Sequence, residues 1–278
     1  MRQSRHQLAK LAFDAVAESH PGRVRDHNED NFFISPRLAM YAVCDGMGGH
    51  QAGELASQIA VETIPRAFVA SQSSGHDSPE RMLTDALYSA HKAIQVSAEA
   101  DSARLGMGTT AVIIWAPPPG DVLWVAHVGD SRAYLFRTGN LQHLTEDHTW
   151  FNQVMRAGGL SGNPDDWPNR HVLSQALGAS SLIAPEVSQL TLQNGDILLL
   201  CSDGLTDMLD DAEISRQLSA PMSLADIVQS LVREANRRGG KDNITVVVVR
   251  VSQPAQSGTP TAILSANPGD DTHPPRSR

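Results

Sequence analysis

The chain of 278 residues has little cysteine, few aromatic residues and no long apolar run. Its two cysteines, Cys44 and Cys201, each end an apolar stretch, which indicates buried free thiols in a reducing compartment rather than a disulfide framework. No run of about 18 apolar residues occurs, so we expect no membrane span. The N-terminus lacks the apolar core and small-residue cleavage site of a secretory signal, and we therefore expect a cytoplasmic protein.

Positive charge is also scarce. The formal net charge is −9 and the sequence pI is about 5.6. This balance argues against nucleic acid or an anionic membrane surface as the partner, but it does not exclude a local basic pocket for phosphate. Hydrophobic residues make up 41% of the chain, enough for one large domain or two small ones.

Hydrophobic periodicity predicts a protein that contains both strands and helices. Strand-like runs occupy residues 11–18, 32–34, 39–44, 109–115, 122–128, 133–137, 187–192, 196–201 and 244–251. Helical spacing occupies residues 54–69, 80–100, 211–218 and 224–237. We expect the first two helices to form a hairpin that covers one face of a sheet.

Three segments lie outside this pattern. Residues 148–180 are long and rich in turn residues, which is typical of a lid or a binding segment. Residues 1–10 are polar and are expected to be loose. Residues 252–278 are rich in Pro, Ser, Gly and Thr and are predicted to be a disordered tail. The folded domain is therefore predicted to span residues 11–251.

Aspartates recur where predicted strands meet turns. Asp45 and Asp203 each follow an apolar run and a cysteine, Asp130 ends another run, and Asp242 precedes one. A single Asp-Gly of this kind is ordinarily a turn. Four such aspartates, together with the pair Glu29-Asp30, predict that separate strands converge on one acidic rim.

The chemistry of such a rim is limited by charge. Carboxylates a few ångströms apart repel, so at neutral pH they need protons or a cation among them. The candidate ligands are all oxygens, and neither zinc-type Cys/His spacing, HExxH nor an EF-hand loop occurs. Oxygen ligands favour Mg²⁺ or Mn²⁺, which can activate water and stabilise an in-line displacement.

Two arginines and three histidines lie near these acidic segments. Arg25 is five residues before Asp30 and could face the same corner, where a guanidinium would bind phosphate in bidentate fashion. Arg23 could do the same, and a surface ion pair is the alternative for both. His50, His127 and His148 fit turns or packing better than metal ligation, and His50, five residues from Asp45, is the best exception.

Eight segments of the chain resemble, in order, the motif series of the PP2C (PPM) metal-dependent Ser/Thr protein phosphatases, and in particular the bacterial stand-alone form. The resemblance covers about residues 10–251 and is carried by RVRDHNEDN (23–31), CDGMGGHQAGELAS (44–57), GMGTTAV (106–112), HVGDSRAYL (127–135), LTEDHT (144–149), LSQALG (173–178), GDILLLCSDGLTD (195–207) and KDNITVVVV (241–249).

This resemblance implies an α+β fold: a four-layer αββα sandwich of two antiparallel β-sheets flanked by antiparallel helix pairs, with a metal cluster at one end. It implies that Asp45 bridges two Mn²⁺ or Mg²⁺ ions and that the Gly46 carbonyl binds one of them. Asp203 and Asp242 would hold the second ion, and Asp130 would help to hold a third, weaker one.

The resemblance also assigns supporting and catalytic roles. Glu29 and Asp30 would support the cluster, directly or through water. Arg25 would bind the substrate phosphate, and a metal-bridging hydroxide would attack phosphorus without a phospho-enzyme. Residues 148–180 match the family's flap, which affects substrate choice.

Two departures from the family pattern matter. Animal members have a histidine directly after the Asp-Gly, whereas this chain has Met47, as bacterial relatives do. The general acid is therefore left to His50 or to a metal-bound water. The latter part of the flap, NPDDWPNRHVL (163–173), diverges from the family and leaves the substrate preference open.

The sequence thus predicts a monomeric Ser/Thr protein phosphatase that acts on phosphoproteins and opposes a bacterial Ser/Thr kinase. A non-catalytic phosphoprotein-binding protein is the main alternative, and the intact acidic set argues against it. Antagonism of anti-sigma factors and regulation of a secretion system would use the same chemistry, and no residue of the chain indicates either.

Overall fold

The computed structural model describes residues 11–48, 51–73, 78–158 and 171–253. The strands are β1 (Ala12–His20), β2 (Asn31–Ser35), β3 (Met40–Cys44), β4 (Gly46–Met47), β5 (Gly108–Thr109), β6 (Ala111–Trp115), β7 (Val122–Val128), β8 (Arg132–Arg137), β9 (Asn140–His143), β10 (Glu186–Thr191), β11 (Ile197–Cys201) and β12 (Ile244–Ser252). The helices are α1 (Gln51–Ser73), α2 (Pro79–Glu99), α3 (Trp150–Arg156), α4 (Asp203–Thr206), α5 (Asp211–Leu218) and α6 (Leu224–Arg237).

The strands form two five-stranded antiparallel sheets and one small two-stranded antiparallel sheet. The first sheet has the order β1-β12-β11-β8-β9, and the second has the order β10-β7-β6-β3-β2. Strands β4 and β5 pair separately, with Gly46 opposite Thr109 and Met47 opposite Gly108.

Alternation of side chains along the central strands explains why both sheets are covered on both faces. In β11, Leu199 and Cys201 pack toward the helices, while Leu198 and Leu200 pack toward the other sheet. Strand β3 divides its residues in the same way between α1 and α2 on one side and the facing sheet on the other. Because successive residues of a strand point to opposite faces, a continuous apolar run fills two layers at once.

Three apolar layers therefore separate four layers of secondary structure. Helices α1 and α2 pack on each other and on the second sheet, and α6 packs on β1 and β12 of the first sheet. Between the sheets lies a third layer that includes Tyr41, Val112 and Leu200. The predicted α+β sandwich of two antiparallel sheets flanked by helices is confirmed.

The structure differs from the sequence expectations at several element ends. The predicted strand 109–115 is divided into β5 and β6 at Thr110, whose backbone N–H donates to the carbonyl of Asp45, the residue between β3 and β4. Helix α1 is longer than the predicted helix 54–69. Strand β9 and helices α3 and α4 were not predicted. Strand β12 ends at Ser252, and the rest of the predicted tail from residue 254, like residues 1–10, lies outside the described residues.

Both cysteines are buried and unpaired, as the sequence predicts. Cys44 faces the α1–α2 layer and Cys201 faces the layer beneath α6, so the two thiols lie in different apolar layers. Burial raises the pKa of Cys201 to about 12, which keeps this thiol protonated and unreactive. In the part of the chain that the structure describes, no helix has the length and apolar character needed to cross a membrane.

The layer between the sheets should carry much of the stability. Leu200 is fully buried there and lies opposite Ala133 and Val247. We predict that Leu200→Ala lowers the free energy of unfolding by about 2–5 kcal/mol, measured by urea denaturation. The matched control is Leu182→Ala, since Leu182 is 84% exposed and should change the stability by less than about 0.5 kcal/mol. Equal effects of the two substitutions would contradict this account of the core.

Candidate active site

One end of the sandwich brings together carboxylates from both sheets. Asp45 follows β3 and Asp130 follows β7, both in the second sheet, whereas Asp203 follows β11 and Asp242 precedes β12 in the first. All four line a cavity of about 310 Å³, together with Arg25. The predicted convergence of separate strand ends on one acidic rim is therefore observed.

These carboxylates lie close enough to perturb one another. Desolvation, followed by repulsion from Asp30 and Asp203, raises the pKa of Asp45 well above its ordinary value. Desolvation, followed by repulsion from Asp130, does the same to the pKa of Asp203. Desolvation also raises the pKa of Asp130 to about 7. The rim therefore holds more negative charge than it can stabilise by itself, and it requires protons or cations.

The oxygen atoms of the rim fit divalent cations. Oδ1 of Asp203 and Oδ1 of Asp30 are buried and have no hydrogen-bond partner among the residues that the structure describes. Buried polar atoms are nearly always paired. Two unpaired carboxylate oxygens beside one acidic cavity therefore indicate that the site binds a cation. The donor set is composed of oxygens, which suits Mg²⁺ and Mn²⁺.

Gly46 forms part of the cavity wall with its backbone. Its N–H donates to the Glu29 carbonyl at 3.2 Å, and a Cβ at this position would overlap the carbonyl oxygens of Gly53 and Glu29. Only glycine therefore lets the chain after Asp45 pass between α1 and the segment before β2. This contact keeps the Gly46 backbone beside Asp45 in the cavity.

Glu29 and Asp30 occupy different positions. Glu29 lines the cavity, whereas Asp30, which is 4% exposed, is not among the lining residues. Oδ2 of Asp30 accepts a hydrogen bond from Ser202 Oγ at 2.7 Å. Burial raises the pKa of Asp30 to about 6. The structure thus places Glu29 at the cavity surface and Asp30 in the wall close to Asp45.

Polar side chains that the sequence reasoning did not single out hold the acidic segments together. Asn243 Oδ1 accepts from the Glu29 N–H at 2.8 Å, and its Nδ2 donates to the carbonyls of Pro21 and His27. Ser57 Oγ donates to the Glu29 carbonyl. Both residues lie in the segments that resemble the family motifs. These hydrogen-bond partners are more than 25 residues away along the chain, so the spacing of residues in the sequence does not reveal these contacts.

Thr110 connects two of the aspartates. Its hydroxyl accepts from the Asp45 N–H at 3.0 Å and shares a 2.7 Å hydrogen bond with Ser131 Oγ. Its own N–H donates to the Asp45 carbonyl at 2.8 Å. Asp45 and the loop that contains Asp130 are therefore fixed to each other through one threonine.

The structure separates the two candidate arginines. Arg25 lines the acidic cavity, and its Nη2 lies 2.6 Å from Asp242 Oδ2, with the Arg25 side chain 49% exposed. The Arg23 side chain instead lines a different cavity, with His20 and Arg233. Only Arg25 is brought to the site, where it forms an ion pair and also faces the cavity.

Of the candidate histidines, His50 lies outside the described residues. His127 and His148 do not line the acidic cavity, and their rings stack on each other with centroids 4.4 Å apart. Burial lowers the pKa of His148 to about 4, so its ring is neutral at neutral pH. Their arrangement fits the packing role that the sequence favours for them.

Met47 lines the cavity at the position next to Gly46.

A second cavity of about 620 Å³ adjoins the acidic one on the flap side. Asp130, Asp203 and His171 line both cavities. Phe151 and Asn152 of α3 line the second cavity as well. His171, which sequence reasoning did not select, thus lies where the described end of the flap meets the carboxylates. Residues 159–170 of the flap lie outside the described part of the chain.

Comparison with known proteins identifies the family. The sequence profile described as Protein phosphatase 2C matches residues 22–244. The serine/threonine phosphatase Stp of Listeria innocua is 36% identical over 233 residues, which cover 82% of this chain and 92% of the relative.

Two solved structures show the same fold. The catalytic domain of the serine/threonine protein phosphatase PstP, in complex with two manganese ions, matches with a TM-score of 0.74 and 34% identity, over 87% of this chain and 99% of that one. PppA, described as a key regulatory component of T6SS in Pseudomonas aeruginosa, matches with a TM-score of 0.73 and 31% identity, over 86% and 98% of the two chains. The resemblance inferred from the sequence is confirmed, and the chain belongs to the protein phosphatase 2C family of metal-dependent Ser/Thr protein phosphatases.

Proposed function

We propose that this chain hydrolyses phosphoserine and phosphothreonine in proteins, and that the reaction takes place in the cavity lined by Asp45, Asp130, Asp203 and Asp242. The observation that carries the proposal is the convergence of these four carboxylates from two sheets, with one arginine, Arg25, facing them. Such a set combines cation ligands with a phosphate-binding group in one place.

Mn²⁺ or Mg²⁺ fits this cavity best, because its ligands are oxygens, and because Oδ1 of Asp203 in the cavity and Oδ1 of Asp30 in its wall are unpaired within the described residues. Asp45, the Gly46 carbonyl, Asp203 and Asp242 would hold two core ions, and Asp130 would contribute to a third. Glu29 and Asp30 would support them, directly or through water, with Asp30 held in the wall by its hydrogen bond from Ser202. When bound, these ions would lower the pKa of a water and neutralise charge on the phosphoryl oxygens.

The protein's own contribution begins with the orientation of the phosphate. Arg25 is paired with Asp242, but a half-exposed pair of this kind is worth only about 0–1 kcal/mol. The guanidinium can therefore exchange Asp242 for a substrate phosphate, to which it would donate two parallel hydrogen bonds. The hydrogen bonds of Thr110 to the backbone N–H and carbonyl of Asp45 keep that residue in place meanwhile.

The remaining parts of the proposal concern the proton and the substrate. The Met47 thioether has no proton to donate, so His50 or a solvent-derived water would protonate the leaving serine or threonine oxygen. The second cavity, which shares Asp130, Asp203 and His171 with the first, would receive the peptide around the phosphorylated residue.

We further propose that the substrates are phosphoproteins produced by a Ser/Thr kinase in the cytoplasm. The two buried free thiols support the reducing compartment. The monomer predicted from the sequence stays a prediction.

Loss of a core carboxylate should abolish turnover. We predict that Asp45→Asn and Asp203→Asn each lower kcat for p-nitrophenyl phosphate and for a phosphothreonine peptide by more than about a hundredfold, because they remove ligands and not only supporting groups. Circular dichroism should show that both variants are folded. Turnover that requires Mn²⁺ and disappears with EDTA would eliminate the non-catalytic alternative, whereas full activity in both variants would refute the metal mechanism.

Arg25 and Arg23 offer a matched comparison. Charge-assisted hydrogen bonds contribute about 1.5–3 kcal/mol, so Arg25→Ala should lower kcat/KM on the order of 10- to 100-fold. Arg25→Lys should be intermediate, since lysine keeps the charge but not the bidentate geometry. Arg23→Ala should leave kcat/KM close to wild type, because its side chain lines another cavity. Equal losses of kcat/KM in Arg23→Ala and Arg25→Ala would show that the loss reflects general positive charge and would contradict phosphate binding by Arg25.

The metal-free protein should become less stable as the pH rises. The folded-state pKa of Asp130 is about 7 against an ordinary 3.8, so the folded state binds more protons than the unfolded state between these values. Its contribution to stability is complete below about pH 4 and is lost toward about pH 7.

The measurement is thermal unfolding in EDTA as a function of pH. Asp130→Asn should show a weaker decline with pH than the wild type. Addition of Mn²⁺ at about 100 times its dissociation constant should add about 2.7 kcal/mol at neutral pH. A metal-free wild type that is equally stable from pH 4 to pH 7 would contradict the charge repulsion described here.

A further inference from the structure

The segment between β9 and α3, residues 144–149, bonds to the chain on both sides of Asp130. The Leu144 N–H donates to the Ala133 carbonyl at 2.8 Å. Both carboxylate oxygens of Asp147 accept from the Arg132 guanidinium, at 2.7–3.2 Å. The 144–149 segment therefore fixes the start of β8, directly after the Asp130 loop.

His148 fixes the other side of Asp130. Its backbone N–H donates to the Gly129 carbonyl at 3.0 Å, and its ring Nδ1 accepts from the Gly129 N–H at 3.2 Å. Gly129 has φ of 105°, and a Cβ there would lie 2.6 Å from the Thr110 side chain, so no other residue fits. Both polar backbone groups of the residue before Asp130 are thus held by one histidine.

The hydrogen bond at Nδ1 also determines which ring nitrogen of His148 carries the hydrogen. Since the Nδ1 lone pair accepts from Gly129, Nε2 bears the hydrogen, and it lies 3.5 Å from Glu186 Oε1. The same Glu186 oxygen accepts from Arg156 Nη1 at 2.8 Å. His148 Nε2 has no hydrogen-bond partner among the described residues, so the ring is oriented by its Nδ1 bond to Gly129 and by stacking on His127.

This tautomer excludes a different interpretation of the same residues. The potential ligand atoms of His127, His148 and Glu186 lie within 4.8 Å of one another, an arrangement that suggests a metal site. However, the one lone pair of the neutral His148 ring is already used by Gly129, and its other nitrogen carries hydrogen. A metal at this position would require the loss of the Gly129 hydrogen bond.

We propose that His148 is a positioning residue for Asp130: it fixes the backbone N–H and C=O of Gly129 from the base of the flap and thereby maintains the weak cation site to which Asp130 contributes. This inference rests on the proposed function, because it assigns a support to one carboxylate of the proposed site. His148 does not line the acidic cavity, so it acts only through Gly129. Removal of residues that orient metal ligands typically weakens metal binding by about 10- to 100-fold.

The test compares His148→Leu with His148→Asn in Mn²⁺ titrations followed by calorimetry on the full chain. Leucine removes the acceptor at Nδ1, whereas the asparagine Oδ1 can occupy nearly the same position and accept from the Gly129 N–H. We expect His148→Leu to weaken the weakest Mn²⁺ site by about 10- to 100-fold and to leave the tighter sites unchanged. His148→Asn should restore binding to within a few-fold of wild type.

A buried histidine elsewhere provides the control. His91 Nδ1 accepts from the N–H of Gly178, another glycine with positive φ, and neither residue lines the acidic cavity. His91→Leu removes the same type of hydrogen bond and should leave the weak Mn²⁺ site unchanged. If His148→Leu does not fold, His148→Gln replaces it, because the glutamine amide reaches the place of Nε2 and not that of Nδ1.

Each outcome decides the proposal. Unchanged Mn²⁺ affinity of the weak site in a folded His148→Leu or His148→Gln protein would overturn it. A His148→Asn protein whose weak site binds Mn²⁺ no better than that of His148→Leu would also overturn it. A wild type with only two Mn²⁺ sites, or an equal loss in His91→Leu, would also overturn it. A wild type that binds no Mn²⁺ would instead refute the proposed function, so the two failures are distinguishable.

Discussion

The structure depends on one electrostatic constraint: negative charge is concentrated at one end of a sandwich whose interior is apolar. Desolvation and mutual repulsion raise the pKa values of Asp45, Asp130 and Asp203, so these groups oppose the fold unless a cation or protons neutralise them. The apolar layers tolerate this cost because they are large, and the polar contacts around the rim keep the carboxylates from moving apart. Catalytic competence and local instability thus have the same origin.

The sequence predicted much of the fold because its central strands are continuous apolar runs. Strand β7 and helices α5 and α6 have the predicted limits, and the positions of Asp45, Asp203 and Asp242 at strand ends follow from the same pattern. Strand β9 was missed because its residues, NLQH, are mostly exposed and show no alternation. Helix α4 was missed because Asp203-Gly204 has the composition of a turn, although Asp203 begins a helical turn.

The site was less predictable than the fold, for a physical reason. Spacing can place Glu29 and Asp30 at the same corner, but it cannot show that one faces the cavity and the other accepts a hydrogen bond from Ser202. In the same way, Arg23 and Arg25 are the same residue type, and only the structure shows that Arg25 pairs with Asp242 in the acidic cavity while Arg23 lines another cavity. These distinctions depend on contacts between residues far apart in the chain, which no local pattern encodes.

The division of the carboxylates between the two sheets has a further consequence. Asp45 and Asp130 are attached to strands of the second sheet, and Asp203 and Asp242 to strands of the first. The separation between the two pairs therefore depends on the thickness of the apolar layer between the sheets, which includes Tyr41 and Leu200. Residues that are buried far from the cavity and never contact substrate thus help to determine the distance between the two pairs of carboxylates.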